Sequence, residues 1–112
     1  PVDGQAPAPV RVITEMGGKN AVVVTASADP DEAVAGILAS AFGHAGQKCS
    51  AASRVLVDAA VADRLAKRLA QAVEDLPVGP AHEWATTVNP VIGQADRDRL
   101  RQQAAKAGQE AK

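Results

Sequence analysis

Residues 21–42 read AVVVTASADPDEAVAGILASAF, a short β-branched run followed by a segment with helical spacing. The opening run, Ala21 to Thr25, predicts a strand that is buried on both faces. Asp29 is suited to cap a following helix, because Pro30 takes the first helical position and Glu32 lies three residues after the cap. The apolar residues behind this start recur on one helical face and consist of Val34, Ile37, Leu38, Ala41 and Phe42.

A second strand and a second helix follow a glycine-containing loop. Gly43 and Gly46 are expected to end the first helix, Arg54 to Val57 predicts the next strand, and Asp58 is expected to cap the helix after it. The order strand, helix, strand, helix predicts an α/β fold, a βαβα segment of a parallel sheet. Two strands cannot cover their own edges and faces, so we expect the segment to belong to a larger parent sheet. The apolar stripe predicted for the second helix contains Val61, Leu65, Leu69, Val73 and Leu76.

The remaining stretches carry weaker signals. Residues 1–9 are rich in Pro, Ala and Gly and predict a linker, whereas Val10 to Ile13 predicts a short strand. Residues 81–90 predict an irregular loop in which Trp84 is a packing residue. Residues 94–112 favour a polar helix that would fray, because it has little apolar surface to bury.

The size and composition of the chain limit its core and its possible partners. Its 112 residues suffice for one small domain, and much of its 46% hydrophobic content is Ala, with only 2% aromatic residues, which predicts a thin core. Because the chain begins at Pro1 rather than Met and stops at Lys112 within a polar run, we expect a fragment. A formal charge of −1 and the lack of a long apolar stretch favour neither nucleic acid nor a membrane as partner. The single cysteine excludes an internal disulfide and favours a reducing, cytoplasmic setting.

Cys49 and Glu15 are the residues best suited to chemistry, although each has an ordinary alternative. A lone cysteine is often a small buried hydrophobe, yet the polar neighbours of Cys49 place it in a turn rather than in the packed helix. Glu15 is by itself an ordinary solvated carboxylate, but it stands just before two glycines and could take a proton from water near a substrate. His44 and His82 are single and far apart, so we expect loop histidines and no metal site.

Two stretches resemble the signatures of the aldehyde dehydrogenase family. Residues 14–20, TEMGGKN, are similar to the glutamate signature E-L-G-G-K, and residues 42–50, FGHAGQKCS, are similar to the cysteine signature F-x-x-x-G-Q-x-C. The separation of the two signatures is also that of the family. The departure is NPVI at residues 89–92, where the family usually has Gly-Pro-(Leu/Val)-Ile, and we expect this stretch to be remote from the chemistry. Asn20 and the sequence around Cys49 are typical of the branch that oxidises L-glutamate γ-semialdehyde, an enzyme of proline degradation.

The resemblance implies an NAD-dependent enzyme that oxidises a small-molecule aldehyde through a thiohemiacetal and a thioester on its cysteine. Cys49 would be the nucleophile and Glu15 the general base that activates water. Met16 and Gly17 would run beside the nicotinamide, and Ser50 would contact the substrate carboxylate. The rest of the parent chain, which in this family binds most of NAD and forms the oligomer, would be the partner of this partial catalytic domain, and the chain alone would be inactive.

Two alternatives stay open at this stage. The first keeps the dehydrogenase but changes its aldehyde, because related branches oxidise other aldehydes. The second is a truncated, non-catalytic module that keeps the fold without the activity, which the thin core suggests.

Overall fold

The computed structural model describes residues 11–14 and 17–110. Its two strands are β1, Asn20–Val24, and β2, Ala52–Val57. They pair in parallel, and helix α1, Pro30–Phe42, connects them. Helix α2, Ala62–Glu74, follows β2, and helix α3, Gln94–Glu110, ends the described part. The predicted α/β fold with βαβα order on a parallel sheet is therefore confirmed.

The start of α1 follows from its sequence. The Asp29 carboxylate accepts hydrogen bonds from the backbone N–H of Asp31 at 2.8 Å and of Glu32 at 3.1 Å, which satisfies two donors of the first turn. These bonds, that of Glu32 first, lower the pKa of Asp29, because they stabilise its ionised form. The predicted cap is confirmed, and α1 ends at Phe42 with Gly43 as its C-cap.

The start of α2 differs from the expectation. Asp58 does not cap this helix, which begins at Ala62 after Val61 and has no side-chain cap. Instead, Asp58 Oδ1 accepts from the backbone N–H of Ala60 at 2.9 Å, and its carbonyl accepts from Val61 at 3.0 Å. The carboxylate is thus used by a local turn before the helix, a bond that short acidic side chains commonly make.

The core lies between one face of the sheet and two helices. Val24 of β1, Ile37 of α1 and Leu65 of α2 are each no more than 4% exposed, and no other hydrophobic residue in the described part is that well buried. The opposite face of the sheet is open, since Val23 is 69% and Leu56 is 53% exposed. The thin core is confirmed, but the prediction that the first strand is buried on both faces is wrong, because α1 and α2 cover only one of them. Partly buried side chains around the core are Val22, Ala28, Ala33, Val34, Val55, Val57 and Leu69.

Two further predictions are wrong. Residues 11–14 form no strand, and Val12 and Ile13 are 75% and 84% exposed, since apolar side chains alone do not make a strand that lacks a pairing partner. Val10 and the linker predicted at residues 1–9 lie outside the described residues. Trp84 is fully exposed in its loop and packs against nothing there. Across residues 11–14 and 17–110, no helix has the length and apolar character needed to cross a membrane.

Candidate active site

Cys49 lies in the turn that leads from the end of α1 into β2. The backbone N–H of Ala51 donates to the Lys48 carbonyl at 3.1 Å and closes this turn. The Cys49 side chain is a free thiol and is exposed, and Ser50 beside it is exposed as well. The prediction that Cys49 sits in a turn outside the packed helix is confirmed, and its sulfur is open to a reactant.

Three consecutive residues with left-handed backbone precede this turn. His44 and Ala45 both have φ of 55°, and Gly46 has φ of 70°. Such a conformation costs an L-residue about 1–2 kcal/mol, whereas glycine adopts it without that penalty. A Cβ on Gly46 would also lie 2.9 Å from the Ala41 carbonyl oxygen. These three residues follow the end of α1 and change the direction of the chain. The loop that carries Cys49 therefore has a constrained shape.

The glycine loop before β1 lies directly against the Cys49 main chain. A Cβ placed on Gly18 would be 2.6 Å from the Cys49 carbonyl oxygen, closer than real Cβ atoms approach another atom. Only glycine therefore allows this contact, which brings Gly18 and the Cys49 turn together in space. Gly17 precedes the contact and is exposed, whereas Glu15 and Met16 lie outside the described residues.

The Asn20 side chain forms a second link between the two motifs. Its Nδ2 donates to the Cys49 carbonyl at 2.7 Å and lies 3.4 Å from the Ala51 carbonyl. Ser53 Oγ donates to the Asn20 carbonyl at 3.3 Å. The strand register is irregular at this point, because Asn20 pairs with Ala52 while the next residue of β1 pairs with Arg54. Parallel pairing thus delivers the glycine loop and the cysteine turn to the same end of the sheet.

Sequence reasoning missed the contacts made by Gly18 and Asn20. The sequence places Gly18 in a glycine pair and makes Asn20 typical of one branch, but it predicts no structural role for either residue. The sequence does contain a signal for these contacts. A glycine and a short amide at the start of a parallel strand can both face the loop that enters the neighbouring strand.

A third link joins the cysteine turn to residues 89–92. The backbone N–H of Ile92 donates to Gln47 Oε1 at 3.1 Å, and His44, Gln47 and Asn89 line a common hollow with Pro90. The expectation that residues 89–92 are remote from the chemistry is wrong, because they contact a side chain two positions from Cys49. The sequence separation of 45 residues hides this contact from any local pattern.

Gln47→Ala is expected to loosen residues 89–92, because it removes the acceptor for the Ile92 N–H. A hydrogen bond of this type contributes about 1 kcal/mol, so local amide exchange should rise about five-fold. Hydrogen–deuterium exchange of peptides covering residues 88–93 measures the effect. Gln47→Glu keeps an acceptor oxygen at the same reach and serves as the matched control. Equal amide exchange of residues 88–93 in the wild type and in Gln47→Ala would contradict the hydrogen bond between Gln47 and Ile92.

The histidines and acidic residues form no alternative centre in the described part. His44 and His82 are both exposed, as predicted, but His44 lies in a short 3-10 helix, Gly43–Gly46, and only His82 lies in a loop. No group of three His, Cys, Asp or Glu side chains within residues 11–14 and 17–110 is arranged to hold a metal ion. Cys49 remains as a free and exposed thiol.

Comparisons with known proteins match this arrangement. The chain fits the aldehyde dehydrogenase family profile over residues 4–112. It is 46% identical over 90 residues to the 1-pyrroline-5-carboxylate dehydrogenase of Geobacillus thermodenitrificans, covering 80% of this chain and 18% of that protein.

Two solved structures resemble the fold. One is proline utilization A from Bdellovibrio bacteriovorus, with a TM-score of 0.80, 44% identity, and coverage of 83% of this chain and 10% of that one. The other is betaine aldehyde dehydrogenase from Staphylococcus aureus in complex with NAD+, with a TM-score of 0.81, 33% identity, and coverage of 85% and 19%. The chain spans about a fifth or less of each of these proteins. With the profile covering nearly all of its residues, the chain belongs to the aldehyde dehydrogenase family.

Proposed function

We propose that this chain is part of the catalytic domain of an NAD-dependent aldehyde dehydrogenase that oxidises L-glutamate γ-semialdehyde to L-glutamate. The observation that carries the proposal is the exposed Cys49 turn, whose carbonyl oxygen lies 2.6 Å from the position that a Cβ on Gly18 would take. That contact ties the cysteine to the loop that follows Glu15. The small share of each relative that the chain covers supports a longer parent protein, and the single, exposed thiol fits a reducing cytoplasm.

Cys49 acts as the nucleophile. Its thiolate attacks the aldehyde carbon, a C–S bond forms, and the carbonyl oxygen becomes the oxyanion of a thiohemiacetal. The backbone N–H of Cys49 donates to this oxyanion as it develops. Loss of hydride from the same carbon restores the carbonyl and leaves a thioester on Cys49. The constrained turn holds the sulfur in one direction during both steps.

Glu15 acts as the general base for release of the product. It takes a proton from water, the resulting hydroxide attacks the thioester carbon, and the C–S bond breaks. The carboxylic acid leaves, and the thiolate of Cys49 is regenerated. Gly18 supports this role, because it approaches the Cys49 main chain and follows Glu15 closely in the sequence.

NAD+ supplies the hydride acceptor when it is bound. Met16 and Gly17 are the residues of this chain that would lie beside its nicotinamide. Gly17 fits such a neighbour, because it is exposed and has no side chain that would keep a flat ring at a distance. The S. aureus relative bound to NAD+ supports the choice of cofactor. Most of the NAD site is assigned to the rest of the parent chain, so residues 1–112 alone would be inactive.

The substrate is proposed from the relatives and from Ser50. The Geobacillus relative is named for 1-pyrroline-5-carboxylate, which is the cyclised form of the semialdehyde. Ser50 is exposed beside Cys49, where its hydroxyl can donate to a substrate carboxylate. NADH formation by the full-length protein tests this choice. Glutamate semialdehyde should be turned over with kcat/KM at least about ten-fold above that of aliphatic aldehydes lacking a carboxylate.

A second candidate is an aldehyde dehydrogenase of another substrate branch. It is favoured by the betaine aldehyde dehydrogenase, whose structure aligns as well as any reported above. The same assay distinguishes the two, since betaine aldehyde carries a cation instead of a carboxylate. A higher kcat/KM for betaine aldehyde would replace the semialdehyde as substrate while keeping Cys49 as nucleophile.

A further inference from the structure

We propose that Asn20 is a positioning residue for Cys49, whose side-chain amide fixes the peptide unit that follows the nucleophile. The inference rests on the proposed role of Cys49 and adds a residue to it. Its basis is the 2.7 Å hydrogen bond from Asn20 Nδ2 to the Cys49 carbonyl.

The surroundings determine how the Asn20 amide is oriented. Its nearest partners are the carbonyl oxygens of Cys49 and Ala51, at 2.7 and 3.4 Å. Carbonyl oxygens only accept hydrogen bonds, so the NH2 end of the amide must face them. This group has two hydrogens, one for each carbonyl. The Asn20 amide thus bridges the turn that holds Cys49, on the side where the chain enters β2.

Gly18 restricts the position of the same Cys49 carbonyl group from another direction. The bare backbone of Gly18 occupies the space beside the Cys49 oxygen, where a Cβ would be 2.6 Å away. A steric contact and a hydrogen bond therefore both act on one oxygen atom. Rotation of this peptide unit changes ψ of Cys49 and hence the direction of its side chain relative to the loop. Asn20 and Gly18 together set the angle from which the sulfur meets a substrate.

The position of Asn20 favours a local role over a role in global stability. The residue is exposed and does not belong to the core of Val24, Ile37 and Leu65. Strand pairing between β1 and β2 continues through the rest of both strands. Removing the amide should therefore loosen the cysteine turn while the packed part of the domain stays intact.

The test uses the full-length protein with Asn20→Ala and Asn20→Asp. Alanine removes the amide, and aspartate keeps its shape but replaces the NH2 donor by an oxygen. Ser53→Ala is the matched control, because it removes a neighbouring hydrogen bond to the Asn20 backbone without touching Cys49. Titration of Cys49 with iodoacetamide counts competent sites, and hydrogen–deuterium exchange compares residues 47–52 with residues 30–42.

We expect both Asn20 variants to keep the wild-type number of titratable sites and the exchange of α1. Exchange across residues 47–52 should rise, and kcat per titrated site should fall at least about ten-fold with KM little changed, because misplaced reacting groups lower the rate of the chemical step. Ser53→Ala should stay within about two-fold of the wild type in kcat, since exposed neutral bonds contribute little.

Two results would overturn the inference. One is unchanged exchange at residues 47–52 in both Asn20 variants. The other is a fall in kcat that is fully accounted for by fewer titratable sites or by faster exchange throughout α1, which indicates a merely structural residue. Failure of the proposed function is distinguished separately, because wild-type protein would then form no NADH from glutamate semialdehyde. Exchange at residues 47–52 would still decide whether Asn20 holds the turn.

Discussion

Cys49→Ala is expected to lower NADH formation from glutamate semialdehyde by more than about a thousand-fold in the full-length protein, the order of loss seen when a covalent nucleophile is removed. The reason is that no other described side chain beside the turn offers a thiol, since Cys49 is the single cysteine of this chain. Cys49→Ser should also be inactive, although it keeps the shape of the side chain, because a hydroxyl is far less nucleophilic than a thiolate. Steady-state rates measured by NADH absorbance test both variants.

The stability of these variants provides the control. Cys49 is exposed, so neither substitution should move the melting temperature by more than a degree or two, as surface changes rarely alter stability by more than about 0.5 kcal/mol. Lys67→Ala, on the exposed side of α2, should match the wild type in both activity and melting. If Cys49→Ala retained near-normal turnover while folding normally, the role of Cys49 as nucleophile would be wrong.

Gly18→Ala is expected to reduce turnover at least about a hundred-fold, because the added methyl group must displace the Cys49 peptide unit. The new Cβ would lie 2.6 Å from the Cys49 carbonyl oxygen and 3.2 Å from Asn20 Nδ2. The first of these neighbours is backbone and cannot swing away as a flexible side chain would. Overpacking of this kind costs about 1–3 kcal/mol, so thermal melting should also show a loss of stability.

Gly36→Ala is the matched control for this prediction. Gly36 lies within α1, and no atom outside its immediate surroundings is within 4 Å of the Cβ that alanine would add. Alanine in a helix interior is more stable than glycine by about 0.5–1 kcal/mol, so this variant should melt slightly higher and keep its activity. Equal turnover by Gly18→Ala and Gly36→Ala would show that the glycine loop does not constrain the cysteine turn.

Features that depend on residues close together in the sequence could be predicted. The cap at Asp29 and the helix after it depend on four neighbouring residues, and the structure confirms them. Asp58 has the same chemistry but serves a turn, because a nearby N–H at Ala60 competes for its carboxylate. The predictions of a strand at residues 11–13 and of a packing role for Trp84 failed for another reason. Apolar character predicts burial only when something packs against it, and the described residues place nothing there.

In the candidate site, too, local features could be predicted from the sequence and long-range contacts could not. Polar and glycine neighbours sufficed to predict that Cys49 stands in a turn. The contacts of that turn could not be predicted, because each crosses a wide stretch of sequence: 29 residues to Asn20 and 45 residues between Gln47 and Ile92. Such contacts depend on the register of β1 against β2 and on the path of the loop after α2. The roles of all five candidate site residues stay predictions that follow from the family resemblance: Cys49, Glu15, Met16, Gly17 and Ser50.

The most direct measurement of the central claim is the mass of the Cys49 peptide from the Glu15→Gln variant. The full-length variant is mixed with NAD+ and glutamate semialdehyde, quenched in acid and digested. Because glutamine cannot take a proton from water, the thioester should accumulate, with a burst of about one NADH per site and an acyl group on the peptide that contains Cys49. Wild-type turnover by Glu15→Gln, or a burst with no acyl group on Cys49, would contradict the account.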